Sequence, residues 1–233
     1  AYDQNVTNNV IFGSGNDNGA FTVDRENGVE LGLRAKLRHD ATGAPQNTFN
    51  SNGDGTYTFN AGVAPGQSFP TAEWSFEWSI NTDFDGSSSW KLGDLTYELG
   101  IVDNAGSSGP LFFDPINIAS PDFADHAIGD NSTPNGGGMV AVDRANYLDL
   151  IAFNSLAQNS WKPHWFLGGS GFDPTVTGTY DFTLKAFDSS GSEVAGTLMT
   201  VSVVPEPATN AFLAVLGLGA WAFWRFRRRA AAR

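Results

Sequence analysis

Between Glu73 and Ile80 apolar and polar residues alternate without a break: Trp74, Phe76, Trp78 and Ile80 fall on one side, Glu73, Ser75, Glu77 and Ser79 on the other. In an extended strand successive side chains point to opposite faces, so this pattern predicts a half-buried β-strand whose bulky face lies in a core. The same period recurs where Val29, Leu31, Leu33, Ala35 and Leu37 alternate with Glu30, Gly32, Arg34, Lys36 and Arg38, and again at 56–59, 95–102, 179–187 and 197–203. Strands with one wet face imply mainly antiparallel sheets. Turn-forming stretches rich in Gly, Asn, Asp and Ser separate them at 50–55, 85–89, 132–138 and 189–191. One stretch departs from period two: within 142–156, Tyr147, Leu148, Ile151 and Leu156 approach helical spacing behind Asp143, a candidate cap. The expected fold class is all-β, an antiparallel, jelly-roll-like sandwich of residues 1–203 carrying one short helix.

Charge narrows the partners. Of 13 basic residues five lie beyond Pro207, and of 25 acidic residues only Glu206 lies beyond Val204, so residues 1–204 hold 8 basic against 24 acidic residues, a net −16. Such a body repels phosphate backbones, which argues against nucleic acid and leaves cations or uncharged polymers as better partners. The chain has no cysteine, which excludes disulfides, thiolate metal sites and cysteine nucleophiles. The reading takes the chain that opens at Ala1 as a mature or trimmed product.

The C-terminal stretch has a different solvent in view. From Ala211 to Trp224 no residue is charged, and Arg225, Arg227, Arg228 and Arg229 follow. Fourteen helical residues rise only about 21 Å against a hydrocarbon core of about 30 Å, so the run alone is short for a span. Trp221 and Trp224 suit a membrane interface, Arg225 can snorkel, and the arginines form a cytoplasmic-side stop that would leave the acidic body outside. Immediately upstream, Val204-Pro205-Glu206-Pro207 can continue neither a strand nor a regular helix and makes an extended junction. Pro-Glu-Pro, a short apolar helix and a terminal arginine cluster, in that order, closely resemble the PEP-CTERM sorting signal. The resemblance covers residues 204–233 and implies handling by exosortase, a membrane protease-transpeptidase, with transient residence in the inner membrane. It further implies export by a Gram-negative bacterium that makes extracellular polysaccharide, and a cell-surface or matrix destination. The segments VELGLRAKLR, NTFNSNGDGTYTF and DFADHAIGDNSTPNGGG also look like an ectodomain found with such tails, one without an assigned activity.

Candidate chemistry in the body is sparse. Asn81, Asp83 and Asp85 place oxygen ligands at alternate positions before Gly86, the opening of a calcium loop. Position one is Asn, the expected terminal Glu is Leu92, and a polar turn is the alternative, so no cofactor beyond weak calcium is expected. Asp122, Asp125, His126 and Asp130 offer mixed ligands at no standard spacing, and His39 and His164 show no second metal ligand nearby in sequence. A glycosidase needs two carboxyl groups about 5 to 9.5 Å apart, whereas Glu73 and Glu77 stand about 13 Å apart along a strand. No G-x-S-x-G elbow, P-loop or H-E-x-x-H helix occurs, and the chain reads as a non-enzyme. Of seven tryptophans, Trp74 and Trp78 belong to the core pattern and Trp221 and Trp224 to the tail, leaving Trp90, Trp161 and Trp165 as candidate platforms for extracellular polysaccharide. The expected role is a structural or adhesive surface protein, with a carbohydrate-binding module as the alternative and a polysaccharide-processing enzyme third.

Overall fold

The computed structural model describes residues 1–206 apart from residues 14, 45, 105, 107, 108, 119–122 and 168–170. Strands β1 (Thr22–Glu26), β2 (Val29–Leu37), β3 (Thr56–Asn60), β4 (Trp74–Asn81), β5 (Thr96–Asp103), β6 (Leu111–Phe113) and β7 (Ala127–Gly129) precede helix α1 (Arg144–Phe153). Then come β8 (Leu156–Trp161), the single turn α2 (His164–Leu167), β9 (Gly178–Phe187) and β10 (Glu193–Val204). Among the described residues they form two five-stranded sheets, ordered β1-β2-β4-β8-β7 and β3-β10-β9-β5-β6. All pairings are antiparallel except that of β10 with β3, which is parallel, so the second sheet is mixed rather than purely antiparallel.

The alternating faces meet between the sheets. Leu31, Leu33, Trp74, Phe76 and Trp78 of the first sheet share one core cluster with Tyr57, Leu99, Tyr180, Phe182, Leu184 and Val201 of the second. Phe76 and Phe182 bring their rings to 4.6 Å, and Trp74 meets Tyr180 at 5.6 Å and stacks on Phe59 at 5.9 Å. Offset and tilted aromatic pairs of this kind add to the burial energy of the rings themselves.

The outer face of β2 and β4 is not wet. All eight residues of β4 are buried, and Glu30, Arg34, Lys36, Ser75, Glu77 and Ser79 lie out of solvent with them. The cause is the segment before β1, which lies across this face and forms a second apolar cluster of Val6, Val10, Ile11, Phe12 and Phe21 with Val23 of β1, Ala127 and Leu156. Gly32 allows the approach, since a Cβ there would stand 2.8 Å from Val6 Cγ1. Charges trapped beneath pair with one another. Arg34 Nε donates to Glu77 Oε2 at 2.6 Å, Lys36 Nζ lies 3.0 Å from Glu77 Oε1, and Glu30 accepts from Thr7 and Arg25. The Arg34 guanidinium lies between the rings of Phe21 and Phe49, at 4.1 and 4.2 Å from their centroids, and Nη1 donates to the carbonyls of Asp17 and Gly19.

The predicted helix is α1, capped where Asp143 accepts from the Asn146 amide. It ends at Phe153, and Leu156 begins β8 instead, packing with the second apolar cluster.

Candidate functional site

The sorting junction is built directly onto the second sheet. β10 lies between β9 and β3 and remains paired to its last residue, Val204 standing opposite Asn60. The strand therefore runs one residue past the expected boundary at Val203. The Val204 carbonyl accepts from the Ala61 amide at 2.7 Å, and Gly62 donates to the Pro174 carbonyl, so the strand is fastened at its exit. Pro205 and Glu206 follow at once, exposed. Glu206 lies back along the body: a Cβ added at Gly62 would stand 3.2 Å from its Oε1. Nearby Glu73 accepts from the Asn60 amide, and burial, then the Glu206 charge, pushes its carboxyl above the usual carboxylate range. Pro207 and the expected membrane segment and stop, Ala211 to Trp224 with Arg225, Arg227, Arg228 and Arg229, lie outside the described residues. Among the described residues no helix is long and apolar enough to cross a membrane.

At this junction a known family enters. The profile of the PEP-CTERM protein-sorting motif matches residues 203–229. The chain carries a PEP-CTERM sorting motif. It begins inside β10, so the folded body and the PEP-CTERM signal share residues 203 and 204. The motif supports export of the protein and its sorting by an exosortase-type enzyme. No curated protein and no solved structure gave a match to the chain.

The three candidate tryptophans do not converge on one platform. Trp90 is half-buried against the core, and its carbonyl accepts from the Thr82 hydroxyl. Trp161 is only 9% exposed, its ring packed against Phe76, Trp78, Phe113, His126 and Phe166. Trp165, in α2, is 59% exposed, with Lys162 Nζ 5.9 Å from its ring centroid. Trp161 instead forms part of an apolar cavity of about 580 Å³ with Phe113, Ile118, Ala124, His126 and Phe166.

His126, fully buried, closes the floor of that cavity. Nε2 donates to the Pro115 carbonyl at 2.7 Å and Nδ1 accepts from Asn159 Nδ2 at 3.0 Å, which fixes the neutral tautomer. Burial pushes its pKa down to about 4. Asp125 accepts from Asn159, and Asp130 accepts from Ser132 and Thr133 within its own turn; Asp122 lies outside the described residues.

Asn81, Asp83 and Asp85 form a turn closed by its own hydrogen bonds. Asp83 Oδ1 accepts from the amides of Ser88 and Ser89 and from the Ser88 hydroxyl, Asp85 Oδ1 accepts from the Ser87 amide, and Asn81 Oδ1 accepts from the Asp83 amide. Asn81 Nδ2 donates to Asn131 Oδ1. Among the described residues no three His, Cys, Asp or Glu side chains are grouped to hold a metal ion.

Sequence reasoning missed the polar cleft beside the end of β2. Gly13, Asn16, Lys36, Arg38, Gln46 and Asn47 line a space of about 330 Å³. Gly13, Asn16 and Arg38 continue into a second of about 410 Å³, bounded also by Phe12, Asp125, Asn159 and Ser160. Arg38, the residue after β2, stands in the sequence as one more cation of the alternating run, and its lack of a partner shows only in the fold.

Proposed function

We propose that the chain is an exported, non-enzymatic component of the cell surface or extracellular matrix, with a structural or adhesive role. The observation that carries this reading is the PEP-CTERM motif at 203–229, joined to the body without an intervening linker. In this reading the body is a jelly-roll-like sandwich held outside the cell, and the apolar run from Ala211 to Trp224 is a membrane helix fixed by the arginines after it. The non-enzymatic part draws support from the acids and the histidine best placed in sequence for chemistry. Glu77 is sealed between Arg34 and Lys36, and both ring nitrogens of His126 are engaged. The test is intact-mass measurement on native protein from cell and medium fractions. Cells with exosortase should yield a chain shortened beyond the Pro205-Glu206-Pro207 region, and Glu206→Ala should leave a membrane-held precursor. Full-length chain ending at Arg233 in the medium of exosortase-positive cells would refute it.

A second reading, a carbohydrate-binding module of the matrix, draws support from exposed Trp165 beside Lys162, a flat apolar ring next to a cation at the same end of the first sheet as Arg38.

A further inference from the structure

We propose that the cleft around Arg38 binds a carboxylate-bearing saccharide unit of an acidic polysaccharide. The proposal deepens the matrix reading and rests on it for the source of the polymer; the cleft itself stands on its own geometry.

The body is strongly acidic, yet two of its eight cations, Lys36 and Arg38, line this cleft. Arg38 has no side-chain hydrogen bond or ion pair among the described residues, unlike Arg25, Arg34, Lys36 and Lys185, each of which faces a carboxylate. Lys162 is close enough that burial first, and then the Arg38 charge, hold its ammonium below the usual value. An unpaired guanidinium is out of keeping with a chain in which acids outnumber bases, and its planar fork matches a carboxylate in bidentate fashion.

Arg38 and Asp125 line the same space without forming an ion pair. Opposite charges thus face one cleft and leave each other unneutralised. Asp125 gives one oxygen to Asn159 Nδ2 and keeps the other unbonded among the described residues. The ligand that satisfies both carries an acid group for Arg38 and a hydroxyl that can donate to Asp125, the chemistry of a uronic acid. Ser160 adds a hydroxyl and Phe12 and Val140 an apolar wall, suited to the two unlike faces of a sugar ring.

The walls are set before any ligand arrives. Asn16 Nδ2 donates to the Phe12 carbonyl while its Oδ1 accepts from Lys36 Nζ, and Asn159 bonds Asp125, His126 and the Ser160 amide. Side chains already fixed by their neighbours lose little freedom on binding. The net charge of the body works against any polyanion, phosphate or uronate alike, so this proposal departs from the preference for cations and uncharged polymers read from the sequence and rests on the local pairing of an acid group with Arg38 and a hydroxyl with Asp125.

The test is calorimetric titration of the detergent-solubilised full chain with hexagalacturonate, maltohexaose and a short polyglutamate. Hexagalacturonate should bind, with affinity falling as salt is raised. Maltohexaose should bind about tenfold more weakly or worse, and Arg38→Gln should weaken hexagalacturonate by about tenfold or more, since a charge-assisted bidentate contact is lost. Arg38→Lys, which keeps the charge without the fork, should fall between, and stands in if Arg38→Gln melts early. Equal binding by wild type and Arg38→Lys together with Asp125→Asn, no binding at millimolar hexagalacturonate, or polyglutamate binding as tightly as the sugar acid would each overturn the proposal. Failure here with the protein still recovered at the cell surface sinks only the cleft; failure to recover it there sinks the matrix reading.

Discussion

Loss of the Glu77 charge should be costly, because among the described residues its neighbours pair with no other carboxylate. Its carboxylate is the shared partner of Arg34 and Lys36, all three out of solvent, so Glu77→Gln leaves two cations facing an amide under a lid of apolar side chains. Burial already holds both cations below their usual pKa values, with the Glu77 charge opposing that effect. Removing one partner of a buried pair costs about 3 to 5 kcal/mol, against a typical domain stability of about 5 to 15. The exposed pair Lys185–Glu193, at 2.8 Å, supplies the control, and Glu193→Gln should cost under about 1 kcal/mol. Urea denaturation of both variants, followed by tryptophan fluorescence, reads the difference directly as a shift in midpoint at constant slope. A Glu77→Gln midpoint as close to wild type as that of Glu193→Gln would mean that the outer face of β4 is wetter than the packing of residues 6–21 implies.

Other expectations follow from the same structure. His126 is neutral in the fold with a pKa of about 4 against an ordinary value near 6.5, so the unfolded chain takes up its proton first; stability should be full above about pH 6.5 and fall by roughly 3 kcal/mol as pH drops toward 4, a slope that urea midpoints should show flattened in His126→Gln. Trp78→Ala, in the centre of the core, should cost about 3 to 5 kcal/mol in the same assay, and Trp165→Ala, on the surface, less than about 0.5. Because the turn at 81–89 is closed by its own hydrogen bonds, millimolar calcium should leave the melting temperature unchanged; a rise that disappears in Asp83→Ala with Asp85→Ala would identify a bound ion.

The core face was legible because period two in β2 and β4 is a local property of the chain, and Trp74, Phe76 and Trp78 could be placed inward from spacing alone. Nothing local announces that Glu77 and Arg34 are covered: the lid comes from the segment before β1, where Val6, Val10, Ile11 and Phe12 follow neither period and whose contacts reach 15 and 17 residues away to Arg34 and 147 residues away to Gln158. The boundary between α1 and β8 was misplaced because Leu156 continues the apolar spacing of Ile151, while Asn154, which ends the helix and returns its amide to the Leu150 carbonyl, is a weaker signal. Trp161 read as a surface platform because a tryptophan in a polar stretch invites it; in the structure five rings surround it. The sorting motif was plain because its recognition is linear and needs no tertiary contact. Arg38 was not, because its distinction is the lack of a partner, which only the fold reveals.

The place of β10 sets a clock. The strand in contact with both β3 and β9, holding Tyr57 and Phe59 on one side and Tyr180 and Phe182 on the other into one sheet, is the last of the described strands to be synthesised. Until it arrives, β3 has no neighbour in its sheet and must wait on a partner about 140 positions downstream, a long-range closure of the kind that slows folding. In the exported chain proposed above, the second sheet would therefore stay open until its last strand is available. Val204, which pairs with Asn60, is also the second residue of the matched motif, so closing that sheet and presenting Pro205 and Glu206 draw on the same few residues of chain.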